Sequence, residues 1–328
     1  MYHTIILSGG GTKGLCTLGA LQYLYDSKRI APDIRRLVGT SIGAIIAYFI
    51  AIGYTPIEIV VYLCSHNVLE SLSLNEWQSI VTGKGIYDYS ILLEWYRKMT
   101  LEKMDHLPTF QEVKDLFGKE LYVCTYNFTK REKVTLSAAT HPDMVCLDGL
   151  RMSSNLPFIF GECFYQDDEY IDGGIVENFC FSVIPQIIRD ETIANETIAN
   201  ETIANETIAN ETIANELSPK KIVGIYLNVN PLTDSRHDAL EPAKESLTSV
   251  IDKMYAVLMI PVKTHEQLVI KMIGKEPLEE MDLISIVAKR IKVYNFHLAH
   301  SEKLELFSEG YNTAKGFFEK ILVLSENK

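Results

Sequence analysis

The spacing of apolar and polar positions changes twice within the first fifty residues. His3 to Leu7 is a short, nearly continuous apolar run of the kind a buried strand needs, and it stops at Gly9, Gly10 and Gly11. From Lys13 to Lys28 the apolar residues Leu15, Leu18, Leu21, Leu24 and Tyr25 recur at helical spacing. A turn around Pro32 leads to a second short strand, Arg36 to Val38. The chain then breaks at Gly39-Thr40-Ser41 and enters Ile42 to Ile52, almost entirely apolar, which predicts a helix buried on all sides. Strand, helix, strand, helix in this order is the opening of a parallel, doubly wound sheet.

Beyond this unit the pattern is less regular. Residues 54–117 read as mostly helical and contain Trp77 and Trp95, an expected lid or wall of a site, with plain core filling as the alternative. Strands are predicted at Leu121 to Tyr126, at Lys133 to Ser137, and in a pair that ends at Tyr170-Ile171-Asp172. Short helices are expected over Pro142 to Met152 and Asn178 to Ile188, and a strong strand over Lys221 to Val229. The last third reads as helix over Leu240 to Ile273 and Leu298 to Ile321, with a strand between them at Leu283 to Val287. One segment, 191–215, is ETIAN repeated five times. Five helical steps of ~100° advance each Ile by ~140°, so the repeat forms no apolar stripe. It is expected to be a mobile surface insertion within a single domain spanning 1–328, with a partly helical arm as the alternative.

Composition narrows the function classes. The formal charge is −12, from 31 Lys+Arg against 43 Asp+Glu; five of the acids belong to the repeat, leaving about −7 elsewhere. Binding to a nucleic-acid backbone needs clustered positive charge, which this balance argues against. The six cysteines are widely spaced without a Cys-x-x-Cys pair, so buried thiols are expected rather than a disulfide framework or a zinc site. No metal ligand set is visible. The first residues lack a basic segment followed by an apolar core, and the longest apolar stretch is far below the ~20 residues that span a bilayer. A cytoplasmic protein with at most peripheral membrane contact is therefore expected.

Three motifs carry the chemistry. GGGTKG (Gly9 to Gly14) contains the G-x-G-x-x-G spacing of a dinucleotide site, but the second strand ends in Val38-Gly39-Thr40-Ser41 without the acid that would hold a ribose. What survives is a glycine turn between strand and helix, whose N–H groups suit a developing negative oxygen. Gly39-Thr40-Ser41-Ile42-Gly43 is a G-x-S-x-G sequence between a strand and a buried helix, the setting of a nucleophile elbow. The bland alternative, a small-residue helix cap, leaves both glycines unexplained. A serine alcohol needs a base. None of the eight histidines stands in a recognisable turn setting, although His297 and His300 are not dismissed. The third motif, Asp172-Gly173-Gly174, closes a strand with a carboxylate.

In this order, GGGTKG, GTSIG and DGG resemble the patatin-like phospholipase family, in which a Ser–Asp dyad replaces the catalytic triad. Ser153-Ser154-Asn155-Leu156-Pro157-Phe158-Ile159-Phe160, the Asn178 to Ser182 stretch and the Leu298 to Phe318 helix with Gly310 are also similar to the family. The resemblance implies a three-layer α/β sandwich with a mainly parallel sheet. It implies that Ser41 attacks an ester carbonyl and Asp172 takes its proton. The oxyanion would be held by the N–H groups of Gly10, Gly11 and Thr12, with Lys13 at the family's basic position. That lysine would assist an anionic head group, or else be a solvated first-turn residue. Gly173 and Gly174 would bring the carboxylate to the serine. No cofactor is needed, and the implied partner is a lipid ester at a membrane or micelle surface. Two other classes are weighed: a nicotinamide oxidoreductase, resting on the glycine motif alone, and a catalytically silent lipid-binding scaffold of the same fold.

Overall fold

The computed structural model describes residues 1–72, 82–189, 222–228 and 294–326, most of 262–288, and residues 253 and 257. The ETIAN repeat, Trp77 and the first part of the predicted Leu240 to Ile273 helix lie outside the described residues.

Among the described residues eight strands form one mixed sheet: β1 (Thr4–Leu7), β2 (Arg36–Thr40), β3 (Glu120–Asn127), β4 (Glu132–Leu136), β5 (Phe164–Tyr165), β6 (Asp168–Asp172), β7 (Ile222–Leu227) and β8 (Met281–Ile286). The strands β3, β2, β1, β7 and β8 lie side by side and parallel. β4 and β6 pair with β3 antiparallel, and β5 extends β6. Among the described residues the helices of eight residues or more are α1 (Gly14–Asp26), α2 (Ile42–Ala51), α3 (Pro56–Ser65), α4 (Ser90–Lys103), α5 (Phe110–Phe117), α6 (Cys146–Ser153) and α7 (His300–Glu326).

Alternation along the strands divides the interior in two. Ile5, Leu7, Leu37, Val223 and Ile225 face a large cluster built with α1 to α6 and α7. Ile6, Val38, Cys124 and Ile222 face the opposite side, where Phe179 to Ile187, Ile270 and Ile273 cover them. The fold is thus an α/β sandwich, a mostly parallel sheet with helices on both faces, as the sequence predicts. Helices begin where the chain supplies caps. Thr55 and Thr109 each accept from the backbone N–H three residues on, and Glu58 and Glu112 return the bond. α1 and α7 cross with their backbones in contact. A Cβ on Gly19 would stand 1.9 Å from the Phe307 carbonyl oxygen, and one on Gly310 would stand 1.8 Å from that of Cys16.

One sequence expectation is corrected here. Cys124 and Cys180 are joined in a disulfide across 56 residues, not separate thiols. Cys124 points from β3 into the smaller cluster, and the turn after β6 carries Cys180 to the same place, a long-range pairing that spacing alone does not reveal. Among the remaining four, Cys16, Cys146 and Cys163 are buried and Cys64 is half-buried.

The register on β3 explains how distant motifs meet. Along one edge of β3, β2 occupies Glu120 to Cys124, with Thr40 opposite Cys124. On that same edge β6 takes Thr125 to Asn127, running the other way, with Asp172 opposite Thr125. The other edge belongs to β4 throughout Val123 to Asn127. β2 and β6 therefore run toward each other, and their carboxyl ends meet. Ser41 follows one end and Asp172 forms the other.

Candidate active site

Ser41 sits in the turn between β2 and α2 with φ 54° and ψ −125°. This is a strained conformation for a residue with a side chain. It is held by close packing on both sides. A Cβ on Gly39 would lie 2.4 Å from the backbone of Gly43 and Ala44, and one on Gly43 would lie 2.4 Å from the Leu7 carbonyl. Both glycines of G-x-S-x-G are thus required by close backbone approach. The Ser41 N–H donates to Ser153 Oγ at 2.9 Å, and Ser153 Oγ–H donates to the Cys124 carbonyl at 2.6 Å. Ser153 ties the elbow to the middle of β3.

The Ser41 hydroxyl donates to Asp172 Oδ2 at 2.6 Å, and the Gly174 N–H donates to Asp172 Oδ1 at 2.7 Å. Asp172 is 1 % exposed and Ser41 6 %. Burial pushes the Asp172 carboxyl up to about 7, against the partial pull of the Ser41 hydroxyl and the Gly174 N–H. Gly173 permits the turn because its Cβ would press on the Cys124 carbonyl at 2.4 Å. Asn155 fixes β6 from the side: the Asp172 N–H donates to its carbonyl at 2.9 Å, and its Nδ2 donates to the Tyr170 carbonyl at 2.9 Å.

The glycine loop after β1 stands next to this pair. Gly11 has φ 55°, and Gly10 packs so closely on Leu227 that a Cβ would fall 2.5 Å from its Cδ1. The N–H groups of Gly10 and Gly11 donate to nothing among the described residues. Gly11, Thr12 and Gly14 line the same cavity as Ser41. Asn178 joins this loop to the Asp-Gly-Gly turn. The Gly9 N–H donates to the Asn178 carbonyl at 3.0 Å, and Asn178 Nδ2 donates to the Gly9 carbonyl at 3.3 Å. A Cβ on Gly9 would collide with Asn178 Oδ1 at 2.5 Å.

Lys13 departs from the reading of a solvated lysine. It is 1 % exposed, so it is no solvated first-turn residue, and it does not border the cavity. The late histidines are also elsewhere. His297 is exposed, and His300 Nε2 meets the Cys64 carbonyl at 3.0 Å. Among the described residues no group of three or more His, Cys, Asp or Glu side chains could hold a metal ion.

A cavity that opens to solvent lies above Ser41. Its walls are apolar. α2 contributes Ile42, Ile45, Ile46 and Phe49, and α4 contributes Leu92, Trp95, Tyr96 and Met99. Ile59 and Leu63 of α3, then Val68 and Leu69, form another side. Tyr89 and Ser154 bond to each other near the serine, and Arg151 stacks 4.1 Å from the Tyr89 ring. Trp95 answers to both readings of the sequence: it faces the cavity and also packs on the core. No single helix among the described residues is long and apolar enough to cross a membrane.

A serine at a strained strand-to-helix turn, bonded to one buried carboxylate beneath an apolar cavity, defines the class of site. A family model described as patatin-like phospholipase matches residues 5–183, more than half of the chain, and the chain belongs to that family. The probable lipid hydrolase of Invertebrate iridescent virus 6 is 35% identical over 181 residues, 54% of this chain and 61% of that protein. An uncharacterised protein of Acanthamoeba polyphaga mimivirus is 28% identical over 193 residues, 58% of this chain and 63% of its own length. The chain thus matches less than two thirds of the length of these curated relatives. Among solved structures, VipD from Legionella pneumophila is similar with a TM-score of 0.49 and 14% identity, over 97% of this chain and 67% of VipD.

Proposed function

We propose that the chain is a lipid acyl hydrolase of the phospholipase A, lysophospholipase or esterase type, with Ser41 as nucleophile and Asp172 as its base. The observation that carries this reading is the 2.6 Å bond from Ser41 Oγ to a buried carboxylate, beside a cavity walled by hydrocarbon. As Ser41 Oγ bonds to the ester carbonyl carbon, its proton passes to Asp172 Oδ2. The carbonyl oxygen becomes an oxyanion, held by the N–H groups of Gly10, Gly11 and Thr12. Collapse breaks the bond to the alcohol oxygen, which leaves with the proton from Asp172, and Ser41 stays acylated. Water then attacks the acyl carbon as Asp172 takes its proton, the acyl–serine bond breaks, Asp172 returns the proton to Ser41 Oγ, and a fatty acid leaves. A base poised near 7 suits proton transfer in both directions at neutral pH.

The apolar walls favour a fatty-acyl ester over a polar one, with phospholipid, lysolipid or glyceride as the parent molecule, met at a membrane or micelle surface. The test is fatty-acid release from mixed micelles of these lipids by the parent protein, Ser41→Ala and Asp172→Asn. Release should fall by at least about a thousandfold in the serine variant. Equal release by all three would overturn the proposal, and no release by any would favour a lipid-binding scaffold.

A further inference from the structure

The cavity has a floor, and its distance from Ser41 follows from the two helices that wall it. Ile42, Ile45, Ile46 and Phe49 follow the nucleophile at i+1, i+4, i+5 and i+8, one face of α2 turned to the cavity. Eight residues at 1.5 Å each carry Phe49 ~12 Å from Ser41 along the helix axis. α4 gives a second measure. Tyr89, bonded to Ser154 beside the site, and Met99 both border the cavity. Ten residues separate them, or ~15 Å.

At that depth an aromatic knot backs the cavity wall. The Phe49 ring packs on Tyr48 at 5.3 Å, Tyr54 at 5.7 Å and Tyr96 at 5.9 Å between centroids. Tyr48 bonds Thr100 at 3.0 Å, and the Tyr54 hydroxyl donates to the Met99 carbonyl at 2.8 Å. Tyr48, Tyr54 and Thr100 are buried and do not border the cavity. Phe49, Tyr96 and Met99 are therefore the cavity's wall on this side, with the knot behind them.

We infer that this layer measures the acyl chain and that the site selects acyl groups of about eight to ten carbons. An extended hydrocarbon zigzag of ~1.5 Å bonds advances ~1.25 Å per carbon, so ~12 Å holds nine or ten. Side chains on a helix lean toward its N-terminus, which brings the Phe49 ring slightly closer to Ser41 and sets the lower figure. This inference rests on the hydrolase reading and adds a chain-length limit to it. Each carbon that reaches new apolar wall should raise kcat/KM about fourfold, and carbons beyond the floor have nowhere to lie.

The test uses p-nitrophenyl esters from acetyl to palmitoyl with the full chain, Phe49→Ala and Ile46→Phe. In the parent, kcat/KM should climb to an optimum at about eight to ten carbons and fall at least about tenfold by sixteen. Phe49→Ala should move the optimum to longer chains by two carbons or more, and Ile46→Phe should move it to shorter ones. The second variant fills space rather than opening the core, so the inference stays testable if the first does not fold. Turnover of the acetyl ester with a profile that is flat, or still rising at sixteen carbons, overturns the chain-length limit alone. An optimum that neither variant shifts does the same. Absence of turnover on every ester overturns both the limit and the hydrolase reading.

Discussion

Gly9 and Asn178 hold each other twice, through the Gly9 N–H on the Asn178 carbonyl at 3.0 Å and through Asn178 Nδ2 on the Gly9 carbonyl at 3.3 Å. They stand 169 residues apart, one opening the glycine loop and the other closing the turn that begins at Asp172. The loop proposed to bind the oxyanion is thereby fixed to the strand end that carries the proposed base. Asn178→Ala removes the side-chain half of this clasp. We expect kcat on a short ester to fall by one to two orders of magnitude, since misplacement by about 1 Å is worth ~100-fold. The cost in stability should stay near ~1 kcal/mol. Unchanged kcat with a lowered melting temperature would make Asn178 structural only.

Ser153 supports the elbow from beneath. Its Oγ accepts from the Ser41 N–H and donates to the Cys124 carbonyl, with no exposure to water. Ser153→Ala leaves the buried Ser41 N–H without this acceptor while Ser41 remains in its strained φ. The expected loss is ~1–3 kcal/mol, read as a lower urea midpoint with an unchanged slope, together with reduced kcat.

The raised Asp172 carboxyl predicts opposite trends in activity and stability. As a base it must be ionised, so kcat/KM should rise with pH and level off above about 7. Folded Asp172 keeps its proton up to about 7, whereas the unfolded chain releases it near ~4. Between these values the folded state binds more protons, so this group's contribution to stability is full below ~4 and lost as pH rises toward 7, by ~4 kcal/mol in all. Asp172→Asn removes that dependence. Its carbonyl oxygen can still accept from Gly174, while its amide donates to Ser41 Oγ and leaves the serine without a base. The variant should be inactive, yet more stable than the parent at pH 8 and no more stable at pH 4. Parallel melting curves at the two pH values check this.

Much of this site was legible because its rules are local. Gly39 and Gly43 bracket a serine at a strand-to-helix junction, and Asp172 ends a strand before two glycines. Each is a short run of residue types in a strand-end setting, readable within about five residues, although the backbones that press on Gly43 and Gly173 come from Leu7 and Cys124. What was not legible is long-range. Nothing in the chain announces that β2 and β6 meet end to end on one edge of β3, the register that brings Ser41 to Asp172. Nor does it announce that Lys13 is buried, or that Cys180, 56 residues on, returns to Cys124. Ser153 and Asn155 did leave a signal: polar residues at the end of a short helix, just ahead of the Asp172 strand. Their backbone partners had to be seen to give them roles.

The α1–α7 crossing offers a control within one helix. Gly310→Ala would drive a Cβ into the Cys16 carbonyl, whereas a Cβ at Gly316 meets nothing within 4 Å. Gly310→Ala should cost more than ~2 kcal/mol despite the better helix propensity of alanine. Gly316→Ala should stabilise by ~0.5–1 kcal/mol. Urea denaturation of both variants decides, and equal effects would contradict the close crossing.

The most direct test of the central claim is covalent labelling by a fluorophosphonate, with the modified residue mapped by mass spectrometry. The account predicts a single adduct on Ser41, absent in Ser41→Ala, much slower in Asp172→Asn, and formed faster as pH rises through 7 in the parent protein. No adduct in the presence of lipid vesicles, or an adduct on another residue, would contradict it.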